Sequence, residues 1–158
     1  MRVIAIDPGK LCGWAAADID ENGEWGNLTH GILPAKEMVL KLHELQVNDD
    51  EPPEFDIIIY ENWTLFRDHV EEFIGSDMPY SQTVGQIRFI GWLSHTRVVK
   101  SEPHMKTNAR KSLRAWWPEV YGLQQSIEAR SHKDAHDGDA ILHLWAWTRD
   151  NFNTRKHT

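Results

Sequence analysis

The stretch "FDIIIYENW" limits what this chain can fold into more than any other. Ile57, Ile58, Ile59 and Tyr60 form an unbroken apolar, β-prone run, as expected for a strand covered on both faces. Strands of that kind belong to parallel or mixed α/β sheets with helices packed on either side. The run ends in a carboxylate, Glu61. The N-terminus repeats the pattern in "VIAIDPGK", where Val3 to Ile6 lead into Asp7 and Pro8-Gly9 breaks the strand. One acid before a turn usually caps that turn. Two core strands that both end in an acid suggest a shared site, because chemistry in open α/β sheets gathers beyond the carboxyl ends of central strands. If the two strands are parallel neighbours, Asp7 and Glu61 meet there, and their repulsion shifts a pKa or recruits a cation.

The remaining elements follow from periodicity and turn residues. Leu11 to Ile19 reads as a second strand, "ENG" at 21–23 as a tight turn, and Trp25 to Leu33 as a third strand. Pro34 opens a helix carrying Met38, Val39, Leu42 and Leu45 at helical spacing. A polar loop precedes the Ile57 strand. Residues 62–80 read as a functional loop or lid rich in aromatics. "SQTVGQIRFIGWLSH" is a helix in which Gly85 and Gly91 allow close packing, and "RVVKSEP" is a fifth strand. A basic helix from about Met105 to Trp117 stops at Pro118, and the last helix runs from about Ala135 to Phe152. The expected fold is α/β, a mixed five-stranded sheet in the order β-β-β-α-β-α-β-α with helices on both faces.

With 158 residues, the chain is expected to form one domain spanning 1–158, with 149–158 a short basic tail. No run approaches the ~20 apolar residues of a membrane helix, and the N-terminus lacks the pattern of a signal peptide. A single cysteine, Cys12, rules out an internal disulfide and fits a reducing cytoplasm, the host's if a phage encodes the chain. A net charge of −7 excludes a surface that grips nucleic acid all over. The charges are segregated, however. Arg97, Lys100, Lys106, Arg110, Lys111 and Arg114 face only Glu102 within their stretch, whereas "ELQVNDDEPPEFD" contains six acids and no Lys or Arg. The basic tract is either a phosphate-binding face or a solvated helix face.

A third polar cluster opens the last helix, "SHKDAHDGDAILHLWAW". His136, Asp139 and His143 fall on one narrow face, while Ile141, Leu144, Trp145 and Thr148 fall on another arc expected to be the core stripe. His136 and Asp139, at i, i+3 spacing, can address one metal or one water together. Asp134 and Asp137 read as a helix N-cap and a first-turn acid. The segments "IAIDPGKLCGWA", "IIIYENW" and "HDGDAILH", with "VGQIRFIGWL" and "VKSEPHMKTNARK" between them, together resemble the RuvC family of Holliday-junction resolvases, within the RNase H-like (retroviral-integrase) superfamily. The resemblance spans residues 1 to about 148. Phe89 departs from it, standing where the family commonly has a small residue.

The resemblance implies an RNase H-like fold, usually a homodimer, that hydrolyses phosphodiesters at four-way or otherwise branched DNA with Mg²⁺ or Mn²⁺, two ions per active site. Carried onto this chain, the catalytic set is Asp7, Glu61, His136 and Asp139, with Asp7, Glu61 and Asp139 as metal ligands. Asp137 matches no position of the family's closing pair and is either a fourth ligand or a helix-starting acid. The chemistry fits these residue types: two closely spaced divalent ions activate a water and stabilise the leaving oxygen, and hard Mg²⁺ prefers oxygen ligands. Lys100, Lys106, Arg110, Lys111 and Arg114 are expected to hold phosphates without reading sequence. Trp63, Phe66 or Tyr80 would stack on bases, or else belong to a core edge or dimer contact. No nucleotide cofactor or membrane is expected. The alternatives are a nuclease of the same fold acting on other branched DNA or RNA–DNA hybrids, a non-catalytic nucleic-acid-binding module, and a nucleotide-binding domain of the actin/sugar-kinase type. The last needs a second phosphate loop, for which 158 residues leave no room.

Overall fold

The structure is a computed structural model that describes residues 1–48, 50–62, 79–129 and 135–152. The described elements are, in order, β1 (Arg2–Asp7), β2 (Leu11–Ile19), β3 (Trp25–Pro34), α1 (Ala35–Gln46), β4 (Ile57–Glu61), α2 (Pro79–Leu93), β5 (Arg97–Ser101), α3 (Met105–Trp116), α4 (Pro118–Glu128) and α5 (His136–Asn151). The strands form one mixed sheet in the order β3-β2-β1-β4-β5. β1 pairs antiparallel with β2 and parallel with β4, which in turn pairs parallel with β5. The crossover from the meander therefore lays β4 beside β1. None of the described helices is long and apolar enough to cross a membrane.

Strand alternation divides the core in two. Ile4, Ile6, Ile58 and Tyr60 point to the side covered by α1 and α2, where they meet Met38, Leu42, Ile87 and Ile90. Val3, Ala5, Ile57 and Ile59 point to the other side, where they pack against α5, with α3 and α4 beside it. Residues two apart on a strand share a face. Asp7 therefore follows Val3 and Ala5, and Glu61 follows Ile57 and Ile59, towards α5. Ile6 lies opposite Tyr60, so the next residue along each strand is Asp7 and Glu61 respectively. Each fully buried isoleucine contributes about 1.5–3 kcal/mol, enough for the strands to hold two carboxylates largely out of water at their ends.

Two expectations about the helices are corrected. The sequence reading stopped a helix at Pro118 and placed nothing between it and the last helix; the structure has α4 there. Proline lacks an N–H and has a fixed φ, so it both ends α3 and suits the first position of the next helix. The second concerns the glycines of α2. A Cβ on Gly91 would lie 2.1 Å from Val98 Cγ2, so Gly91 is a close-packing site, whereas a Cβ on Gly85 would meet nothing within 4 Å. The outer side of α2 around Gly85 carries exposed Phe89 and Trp92, whose rings stack at 5.9 Å.

Candidate active site

Three carboxylates converge where β1, β4 and the first turn of α5 meet. Asp7, Glu61 and Asp139 each present an oxygen lying within 4.8 Å of the others. Asp7 and Glu61 are buried, and Asp139 is partly open. The approach of α5 depends on Gly13 of β2, the register partner of Asp7. A Cβ there would fall 2.0 Å from the carbonyl carbon of His136. Only glycine lets the start of α5 dock on the sheet so closely.

Among the described residues, His136 and Lys106 hydrogen-bond the acids, His143 stands at ion-pair distance from Glu61 and Tyr80 holds the Glu61 backbone. His136 Nδ1 lies 2.8 Å from Asp7 Oδ2. Lys106 Nζ donates to Glu61 Oε2 at 3.1 Å and to Asp139 Oδ2 at 2.8 Å. His143 Nε2 lies 3.0 Å from Glu61 Oε2, and the hydroxyl of Tyr80 donates to the Glu61 carbonyl oxygen.

These neighbours drive the two buried acids apart. Burial pushes the Asp7 carboxyl up from 3.8 to about 6, helped by the charge of Glu61 and opposed by His136. Burial alone would also raise Glu61, but the hydrogen bond and charge of His143, together with Lys106, bring it down to about 2. The bond to Asp7 raises His136; burial alone would lower Lys106, but Asp139 and Glu61 raise it. Near neutral pH the cluster therefore concentrates negative charge in a partly desolvated space, the condition that favours a bound cation.

Asp137 lies apart from these three acids. One residue from His136 turns the side chain about 100° around the helix, so it leaves the cluster. Its Oδ2 lies 2.8 Å from Nδ1 of His30 on β3, and it is buried. It fastens the start of α5 to the far side of the sheet and is not brought to the three acids. His143 is the residue that sequence reasoning placed on the polar face but assigned no role. A histidine inside the apolar run "AILHLW", four residues after Asp139, was the available signal. The expected core stripe was also too narrow, because α5 is buried all round from Ala140 to Thr148.

The basic tract divides. Lys106 faces the acids, Lys100 pairs with Glu102 at 2.9 Å and Arg110 pairs with Glu128. Lys111 and Arg114 remain exposed on α3. Trp63 and Phe66 lie outside the described residues. A cavity of about 300 Å³ opens beside the acids, lined by Arg110, Glu128, Ala135, His136 and Asp139.

No protein-family profile and no curated protein sequence matches the chain. Solved structures do. The RuvC of Thermus thermophilus in complex with a Holliday junction substrate superposes with a TM-score of 0.62 at 18% identity, covering 96% of this chain and 97% of that one. A second Thermus thermophilus RuvC structure gives 0.52 at 17% identity, covering 98% of each chain. At such low identity the likeness speaks to the fold alone. Over its described residues the protein has a RuvC-like α/β fold with a mixed five-stranded sheet.

Proposed function

We propose that this protein is a divalent-metal-dependent, structure-selective DNA endonuclease that resolves four-way junctions by phosphodiester hydrolysis. The observation that carries the proposal is the convergence of Asp7, Glu61 and Asp139 at the carboxyl ends of β1 and β4. The RuvC-like fold supports it, and one structural neighbour is a RuvC bound to a Holliday junction substrate. The donors fit Mg²⁺ or Mn²⁺: all three are hard carboxylate oxygens, and a neighbourhood that opposes ionisation of Asp7 gains from a cation. Asp7, Glu61 and Asp139 would hold two such ions, which when bound supply an activated water and charge stabilisation at the leaving oxygen.

The protein's own groups have distinct tasks. Asp7 and Glu61, fixed by paired strands, set the positions of the ligand atoms. His136, bonded to Asp7 through Nδ1, leaves Nε2 to orient or take a proton from the attacking water. Lys106 neutralises Glu61 and Asp139 and stands ready to meet the scissile phosphate. Lys111 and Arg114 hold flanking phosphates and confer affinity without sequence preference. The protein works as a homodimer, with the exposed Phe89–Trp92 face of α2 as the contact between copies.

The test is cleavage of a four-way junction, a fork, a flap and an RNA–DNA hybrid by the purified protein in Mg²⁺ and in EDTA. Paired, Mg²⁺-dependent nicks in the junction support the proposal. Preferential cutting of the hybrid or flap would replace the junction by that substrate. No cleavage of any of the four in Mg²⁺ or Mn²⁺ would overturn the nuclease assignment.

A further inference from the structure

We propose that His143, held by Ser101, is the positioning residue that fixes the Glu61 carboxylate in the orientation in which it meets a metal ion. This rests on the metal-nuclease reading above and assigns a role within that site to two residues that neither touch substrate nor belong to the acid cluster. His143 is completely buried, at 0% exposure, in the middle of α5 between Leu142 and Leu144. A leucine there would pack without the desolvation cost of an imidazole, so the histidine needs a reason.

The two ring nitrogens have unequal partners: Nδ1 is hydrogen-bonded, whereas Nε2 stands at ion-pair distance from a carboxylate without meeting hydrogen-bond geometry. Nδ1 lies 2.7 Å from Ser101 Oγ and Nε2 lies 3.0 Å from Glu61 Oε2. Ser101 and Glu61 are register partners at the ends of β5 and β4, so one side chain from α5 ties two parallel strand ends together. An ionised Glu61 only accepts hydrogen bonds, so Nε2 must carry a hydrogen. A neutral ring then needs a donor at Nδ1, which the Ser101 hydroxyl supplies; a charged ring donates to the same hydroxyl oxygen. In either state the hydrogen on Nε2 lies on the Glu61 side of the ring, 3.0 Å between heavy atoms, where it attracts the carboxylate. Among the described residues the hydroxyl has no competing strong acceptor, its other neighbour being the sulfur of Met105 at 3.7 Å.

The need for such an anchor comes from Asp7. Glu61 has a longer, more rotatable side chain than Asp7, and the two carboxylates repel. Lys106 also contacts Glu61 Oε2, but it divides itself between Glu61 and Asp139 on a flexible stem, so it supplies charge without fixing direction. The two strand-end acids are thus each held by one α5 histidine: Asp7 by His136 at the open edge of the site, and Glu61 by His143 from within the core. Hydrogen bonds of this outer kind commonly change metal affinity 10- to 100-fold.

The experiment compares His143→Leu, His143→Gln and His143→Asn with wild type. Mn²⁺ affinity is read by electron paramagnetic resonance titration, melting temperature in EDTA, and single-turnover junction cleavage in Mg²⁺. The amide nitrogen of Gln reaches the place of Nε2, and that of Asn the place of Nδ1. His143→Leu should bind Mn²⁺ roughly 10- to 100-fold more weakly at a temperature where its melting curve shows it fully folded. His143→Gln should recover most of the affinity and His143→Asn should not. Equal Mn²⁺ affinity in Leu and wild type, or in Gln and Asn, would overturn the role assigned to His143. The Gln–Asn comparison decides the matter if the Leu variant does not fold. Failure of the wild type itself to bind Mn²⁺ or cut DNA would instead overturn the metal-nuclease reading.

Discussion

Replacing Asp7 by asparagine should abolish cleavage and, without metal, stabilise the fold. The Asp7 carboxyl is pushed from 3.8 to about 6, chiefly by burial. Each unit corresponds to about 1.4 kcal/mol, so holding Asp7 ionised in the folded state costs about 3 kcal/mol above pH 6. The sign follows from linkage: between pH 3.8 and 6 the folded state binds more protons than the unfolded one, so this group makes stability fall as pH rises through that window. Asparagine removes the charge and retains an oxygen that can accept from His136. Allowing for relaxation and for the tight coupling to Glu61, the gain should be about 1–3 kcal/mol at pH 7.5, or roughly 3–8 °C in melting temperature for a chain of this size. The assay is thermal and urea unfolding of both proteins in EDTA at pH 7.5 and pH 4. The gain should be present at the first and nearly gone at the second. Added Mg²⁺ should raise the melting temperature of wild type and leave the variant unmoved. A variant less stable than wild type at pH 7.5, or equally stabilised at both pH values, would refute this account of the site's electrostatics.

Four further outcomes follow from the contacts and charges described. Gly13→Ala should lower stability by about 1–3 kcal/mol or more and cleavage at least tenfold, measured by urea unfolding and junction nicking, because the new methyl displaces the start of α5. His136→Ala should lower turnover strongly with little effect on melting. Asp137→Ala should do the reverse, costing about 1–3 kcal/mol as His30 loses its buried partner, with turnover within a few-fold; a swap of the two patterns in paired rate and melting measurements would return Asp137 to the metal site. Lys111→Ala with Arg114→Ala should flatten log affinity against log salt by roughly two units, if both touch phosphate, and weaken binding to every DNA shape alike. An unchanged slope would make that helix face a merely solvated one.

The sheet was legible because strand alternation and two uninterrupted core runs leave little freedom. Once β1 and β4 are parallel neighbours, a period of two puts Asp7 and Glu61 on the same face. Asp139 was legible from helical spacing. What the sequence hid depends on distance or rotation. Lys106 looked like a phosphate contact because its partners Glu61 and Asp139 lie 45 and 33 residues away along the chain. Asp137 read equally as a ligand or as a helix-starting acid, and only the structure shows that a single helical step from His136 carries it to His30. His143 shared a face with His136 and Asp139 on a helical wheel, but a wheel does not say that the helix is enclosed on every side. The α4 helix was missed because a proline marks a boundary without saying whether a helix begins or ends there.

That enclosure of α5 ties the life of the candidate site to the life of the whole molecule. Three of the side chains around the acids, His136, Asp139 and His143, ride on a helix that packs against β1, β2, β3, β4, α3 and α4. A helix so embedded opens to solvent only when its surroundings do, so its middle amides belong to the slowest-exchanging unit of the fold. The acid cluster therefore has no private route to disorder. Heat or denaturant should extinguish the site in the same cooperative event that dissolves the core, and any core substitution that shortens the folded lifetime shortens the working lifetime by the same factor.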